Sequence, residues 1–242
     1  RGNGLFSAGV SLINVIGARG LLGGDWNKDN KMDLAVSVDG TSSVRIFMGK
    51  GDGTFETPVD YTVGAGPSKL VVADFNSDGF IDIAVVCQTG NVVSVLLGSG
   101  DGTFGSRADA ATGSGPSDLG FGDINEDQIV DLVISEESNS NIGILIGKGD
   151  GSFQTVVSTT TGGSPIGIEV QDFNNDTHLD VVSLNSADGM VSVFLGLGDG
   201  SFQARIDYVC GISPLGLVAG DYDGNGRLDV ALTNSSDQKL TI

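Results

Sequence analysis

Positive charge is scarce in this chain. Its 242 residues carry 12 Lys and Arg against 31 Asp and Glu, giving a net charge of −19. Such a surface repels phosphate, so nucleic acid is excluded as an expected partner. The single histidine, His178, occupies a loop position whose side chain is expected to point to solvent, so Ser/His/Asp and Cys/His nucleophilic machinery is not expected. Aromatic residues make up 6% of the chain, few for the stacking platforms of a sugar-binding surface. Long apolar runs are missing as well: "VVSVLLG" from Val92 is far too short to cross a bilayer, so no membrane insertion is expected. No stretch reads as a signal peptide, and the chain reads as a mature or excised piece. Capped stretches of 3.6-residue apolar periodicity are absent too, which argues against helices.

Glycine, by contrast, is abundant at 39 residues, and the 39% hydrophobic fraction is rich in Val, Ile and Leu. That combination supports a packed β core. A nine-residue stretch, "DFNSDGFID" from Asp74, recurs as "DWNKDNKMD" from Asp25, "DINEDQIVD" from Asp123, "DFNNDTHLD" from Asp172 and "DYDGNGRLD" from Asp221, always 49 residues apart. A second marker keeps the same spacing: "GKGDGTF" from Gly49, "GSGDGTF" from Gly98, "GKGDGSF" from Gly147 and "GLGDGSF" from Gly196. Two registers locked together define a repeat array, in which no unit can bury its apolar face alone.

The unit around Asp74 reads as four strands. They are 68–75 entering the loop, 81–87 leaving it, 91–98 after a short turn, and 104–112 after a Gly-Asp-Gly hairpin whose glycines supply positive φ. Four antiparallel strands per unit fit a blade of a β-propeller. The expected fold is therefore all-β: one domain over residues 1–242, a propeller of five four-stranded blades. Small residues on the first strands, Gly120, Gly122, Gly167 and Gly220, suit a crowded centre. Gly2, Gly4 and Phe6 are in phase with Gly51, Gly53 and Phe55, so the N-terminus reads as the end of a hairpin and a fourth strand. That strand is what the last unit lacks. Pairing the two within one chain closes a ring and is the favoured expectation; pairing between chains gives a homo-oligomer or filament.

The loops place oxygen-bearing side chains at positions one, three, five and nine, and 15 of the 31 acidic residues sit there. Calcium takes six to eight oxygen ligands, and alternate positions let a loop wrap it. The candidate ligands are Asp25, Asn27, Asp29 and Asp33; Asp74, Asn76, Asp78 and Asp82; Asp123, Asn125, Asp127 and Asp131; Asp172, Asn174, Asp176 and Asp180; and Asp221, Asp223, Asn225 and Asp229. The varied seventh residues, Lys31, Phe80, Ile129, His178 and Arg227, would contribute backbone carbonyls, and the expected cofactor is up to five Ca2+. A helix-flanked EF-hand is set aside: it needs a Glu at position twelve, where this chain has Val36, Val85, Ile134, Ser183 and Leu232. Position six favours glycine, present as Gly79 and Gly226 and replaced tolerably by Asn30. Gln128 and Thr177 fit less well, so the third and fourth sites are expected to bind most weakly.

A loop of the form Asp-x-Asn/Asp-x-Asp-Gly-x-x-Asp between strands, followed by "VSVLLGSGDGTF", resembles the FG-GAP and VCBS repeats of integrin α-subunit propellers and many secreted proteins. The resemblance covers the whole chain. It implies a calcium-bearing, extracellular β-propeller acting in adhesion, recognition or surface structure. The family's propellers usually have seven blades, and this chain has five units.

Three roles remain to be weighed. Catalysis has only the solvent-facing loop histidine to use, and no unit carries an unphased acidic cluster beyond "SEES" from Ser135 and "NEDQ" from Asn125, so no enzyme is expected. A lectin would need free aromatics, yet Phe6, Phe55, Phe104, Phe153 and Phe202 recur at hairpin ends, and Trp26, Phe75, Phe173 and Tyr222 at the loops' second position, as core or loop anchors do. Tyr61, Phe80 and Tyr208 are left. A structural or adhesive module, with a protein or glycan ligand read by the loops between second and third strands, is the preferred reading; a lectin propeller or a non-catalytic domain of a secreted enzyme is the alternative. Cys87 and Cys210 fall at different phases and read as buried free thiols. Two sequons, at Asn175 and Asn234, are compatible with secretion.

Overall fold

The computed structural model describes residues 15–236 and 239–242. The first unit has β1 (Ala18–Gly24), β2 (Asp33–Val38), β3 (Ser43–Phe47) and β4 (Val59–Thr62). The second has β5 (Pro67–Ala73), β6 (Asp82–Cys87), β7 (Val92–Leu96) and β8 (Ala108–Ala111); the third has β9 (Pro116–Gly122), β10 (Asp131–Glu136), β11 (Asn141–Leu145) and β12 (Val157–Thr160). The fourth comprises β13 (Pro165–Gln171), β14 (Asp180–Asn185), β15 (Met190–Phe194) and β16 (Ile206–Val209), and the last β17 (Pro214–Gly220), β18 (Asp229–Asn234) and β19 (Lys239–Thr241). Each unit is one antiparallel meander: four sheets have four strands and the fifth has three among the described residues. Among the described residues helix is confined to two single 3₁₀ turns, Asp39–Thr41 and Glu137–Asn139, a small departure from the helix-free expectation. No helix among the described residues is long and apolar enough to cross a membrane.

Fourth strands are shorter than the sequence implies. The hairpin closes on an isolated bridge, Gly98↔Phe104, and pairing resumes only at Ala108. The Gly-Asp-Gly turns are capped by their own aspartate. Asp101 Oδ1 accepts the Thr103 N–H at 2.9 Å and the Thr103 hydroxyl at 2.6 Å, and these bonds hold its carboxyl below the usual range.

The sheets stack through alternating residues. Val86 and Val93 of the second sheet meet Leu132 and Ile134 of the third in one fully buried cluster. Equivalent clusters join the first sheet to the second, the third to the fourth, and the fourth to the fifth. First strands crowd together, β1 against β5, β5 against β9, β9 against β13 and β13 against β17. Gly120 shows why small residues are needed there: a Cβ would lie 2.6 Å from Val170 Cγ2 of the neighbouring strand.

Among the described residues the five sheets do not close on one another. The N-terminal strand expected to complete the last sheet falls within residues 1–14, outside the described residues. Cys87 and Cys210 are buried free thiols, as expected. Several of the recurring aromatics are packed: Trp26 meets Phe104 edge to face, as does Tyr61, and Phe75 meets Phe153, whereas Tyr222 at the second position of the last loop is exposed.

Candidate metal centre

All five nine-residue loops connect a first strand to a second, and their polar side chains turn inward on the loop's own backbone. In the second loop Asp74 accepts the N–H groups of Asp78 (Oδ1, 3.1 Å) and Gly79 (Oδ2, 2.8 Å). Asn76 Oδ1 accepts Asp78 N–H at 3.2 Å while its Nδ2 donates to Asp78 Oδ2 at 2.8 Å, and Asp78 Oδ1 accepts Phe80 N–H at 2.8 Å. The backbone N–H bonds of this pattern recur with Asp25, Asn27 and Asp29, with Asp123, Asn125 and Asp127, and with Asp172, Asn174 and Asp176, and the amide-to-carboxylate bond recurs from Asn125 and Asn174, while in the first loop Lys31 Nζ meets Asp29 Oδ2. In the fifth loop Asp221, Asp223 and Asn225 take these roles, and Arg227 N–H donates to Asn225 Oδ1. Positions one, three and five are thus gathered in every loop.

The ninth residue does a second job. Asp82 is fully buried at the start of β6; its Oδ2 accepts Phe75 N–H at 2.8 Å and its Oδ1 accepts Gly98 N–H at 2.8 Å, tying loop to hairpin. Asp33, Asp131 and Asp180 do the same with Gly49, Gly147 and Gly196. Burial pushes the carboxyls of Asp82, Asp131 and Asp180 upward, the backbone donors oppose it, and the charges at positions five and one add to the rise. Asp229, in the three-stranded sheet, accepts Tyr222 N–H at 3.0 Å and is half-buried.

In the fifth loop Asp221, Asp223 and Asp229 each offer one oxygen within 4.8 Å of the others. The first four loops carry Asn at the third position, so an amide oxygen stands where the fifth loop has a carboxylate. Donors made of carboxylate and amide oxygen suit a hard divalent cation of the calcium type and disfavour zinc or copper, which prefer sulfur and imidazole. Each carboxylate oxygen holding one N–H keeps a further lone pair for a ligand.

The side chains of the seventh residues vary in use. Lys31 Nζ bonds Asp29 Oδ2 at 3.0 Å, lowering the Asp29 carboxyl and raising the lysine. His178, expected to face solvent freely, instead meets Glu126 of the preceding loop at 2.5 Å, and this bond raises its pKa. The fourth position is a feature the sequence reading missed. Lys28 donates to Gly79 O at 3.1 Å and lies 4.6 Å above the Phe80 ring, so neighbouring loops touch. Complementary pairs about one repeat apart, such as Glu126 and His178, were the available signal.

Turning to known proteins, the FG-GAP-like repeat pattern matches residues 25–85, 74–134, 123–183 and 172–232. The chain belongs to the FG-GAP-like repeat family. No curated protein matches it in sequence. Among solved structures, this FG-GAP repeat chain is similar to BBS1N from its complex with ARL6DN, soaked with lead, at TM-score 0.65 and 13% identity, covering 95% of this chain and 69% of that one. It is similar to a streptogramin B lyase at TM-score 0.61 and 14% identity, with 96% and 70% covered. A putative 6-phosphogluconolactonase from Bacteroides fragilis matches at TM-score 0.62 and 16% identity, with 82% and 56% covered. At such identity these likenesses establish a β-propeller fold for the FG-GAP repeats and nothing about chemistry.

Proposed function

We propose that this FG-GAP repeat propeller is an extracellular, non-enzymatic module that binds calcium in its first-to-second-strand loops and serves adhesion or surface structure, with self-assembly through strand exchange as its route to fibres. The observation that carries the calcium reading is the gathering of oxygen donors at the same positions in five loops, each ending on an aspartate that ties loop to sheet. Asp25, Asn27, Asp29 and Asp33 and their counterparts would hold the ion, joined by the carbonyls of Lys31, Phe80, Ile129, His178 and Arg227. A bound cation would offset the mutual repulsion of the loop carboxylates and brace each loop against its hairpin.

The ion binds the folded state, so a site filled at 100 times its Kd contributes about 2.7 kcal/mol. Stripping two such sites is expected to lower Tm by about 10 °C or more. Differential scanning calorimetry in Ca2+ and in excess chelator measures this, with metal content checked by mass spectrometry. An unchanged melting curve in verified metal-free protein removes calcium from the reading.

A further inference from the structure

The hairpin of the third unit is held from two sides by residues of two different loops. At its base Gly147 donates its N–H to Asp131 Oδ1 at 2.8 Å, and Asp131 is the ninth residue of the third loop. Further along, Gly151 donates its N–H to the Phe75 carbonyl at 3.1 Å, and Phe75 is the second residue of the loop before. The fourth unit repeats the arrangement: Gly196 N–H meets Asp180 Oδ1 at 2.8 Å, and Gly200 N–H meets the Ile124 carbonyl at 3.3 Å.

The second-position residues join these pieces. Phe75 and Ile124 donate their own N–H groups to Oδ2 of Asp82 and Asp131. Each therefore touches a candidate ligand of its own loop through N–H and the next unit's hairpin through its carbonyl. A relay of hydrogen bonds runs from Asp82 through the third unit's hairpin to Asp131, and on through the fourth unit's hairpin to Asp180. It is buried: the three aspartates are at 0% exposure, Phe75 at 2% and Ile124 at 1%. Such bonds hold their geometry better than exposed ones because water does not compete for them. Glycine allows the close approach. Gly151 has φ 81°, and a Cβ there would lie 2.6 Å from Leu97 Cδ2; a Cβ on Gly200 would lie 3.5 Å from that of Asn125, a candidate ligand of the third loop. Among the described residues Trp26, the second residue of the first loop, has no such bond to the second unit's hairpin.

An ordered Asp131 fixes the hairpin base, the hairpin fixes Phe75, and Phe75 orients Asp82. Part of the ordering that one loop requires is thus supplied when its neighbour orders, which is the physical basis of positive coupling. We propose that the second, third and fourth calcium loops are coupled in series through the hairpins of the third and fourth units, so that each filled site raises the affinity of the one beside it. The inference rests on the calcium reading and adds to it a cooperativity that independent loops would lack.

The test is a Ca2+ titration of the full 242-residue protein followed by amide NMR. Asn30, Gly79, Gln128 and Thr177 donate their N–H groups to the first-position aspartates Asp25, Asp74, Asp123 and Asp172, so each resonance reports its own site. Asp127→Ala, which removes a ligand of the third site, is expected to weaken binding at Gly79 and Thr177 about fivefold and to leave the midpoint at Asn30 unchanged. Coupling is reciprocal, so Asp176→Ala is expected to weaken the third site, read at Gln128, by about the factor that Asp127→Ala weakens the fourth. It also carries the test should Asp127→Ala fold poorly. Midpoints at Gly79 and Thr177 that stay at wild-type values overturn the coupling and leave calcium binding standing. An equal weakening at Asn30 overturns it too, since a general loosening of the fold then accounts for the loss. A wild type in which none of the four amides responds to Ca2+ overturns the calcium reading and the coupling with it.

Discussion

Thr177 adopts φ 78° and Gln128 φ 69° at the sixth loop position, where Gly79 and Gly226 have φ 82° and 83°. All keep the shape the loop requires, and the non-glycine residues do so under strain of about 1 kcal/mol. Thr177→Gly is therefore expected to stabilise the protein by about 1 kcal/mol in urea unfolding and to tighten calcium at the fourth site in titration calorimetry. Position four carries the same demand unannounced: Lys28, Ser77 and Glu126 have φ near 59°, and nothing in those side chains signals left-handed backbone. The ninth position has the opposite character. Asp82→Ala leaves the buried Phe75 and Gly98 N–H groups without acceptors, an expected loss of about 3 kcal/mol measurable with or without calcium. The ligand pattern was legible because it repeats in type. The cross-loop bonds of Lys28 and Glu126 were not, because each is made by a different pair of residue types.

Strands show what packing adds to pattern. Alternating Val, Ile and Leu in 81–87 announced a strand, and β6 is buried on both faces because a sheet lies on either side. The inner strand β9 carries a charged residue into this crowded centre. Asp118 lies 3.3 Å from Lys69 and accepts the Leu119 and Ile168 N–H groups, yet burial outweighs these and raises its pKa. A raised carboxyl means the folded state holds the proton more tightly than the unfolded chain. Its stabilising contribution is present below the unfolded value, near 4, and is lost as pH rises through the folded value. Asp118→Asn is expected to gain stability over wild type at pH 7 and none at pH 3, as read by urea unfolding at the two values.

Across the whole molecule, a repeat array spreads its core over junctions, so each end exposes what an interior unit buries. Residue types, the 49-residue period and alternation along the strands determined the all-β meander, the loop positions and the family, because all are local and recur five times. Closure was another matter. A ring needs the small rotation between neighbouring sheets to sum to a full turn, and that angle arises from side-chain packing between sheets, which no local pattern encodes. The tertiary structure decided how the described sheets meet: Leu21 and Leu240, equivalent to buried residues elsewhere, both face water, and among the described residues the first and last sheets do not close on each other.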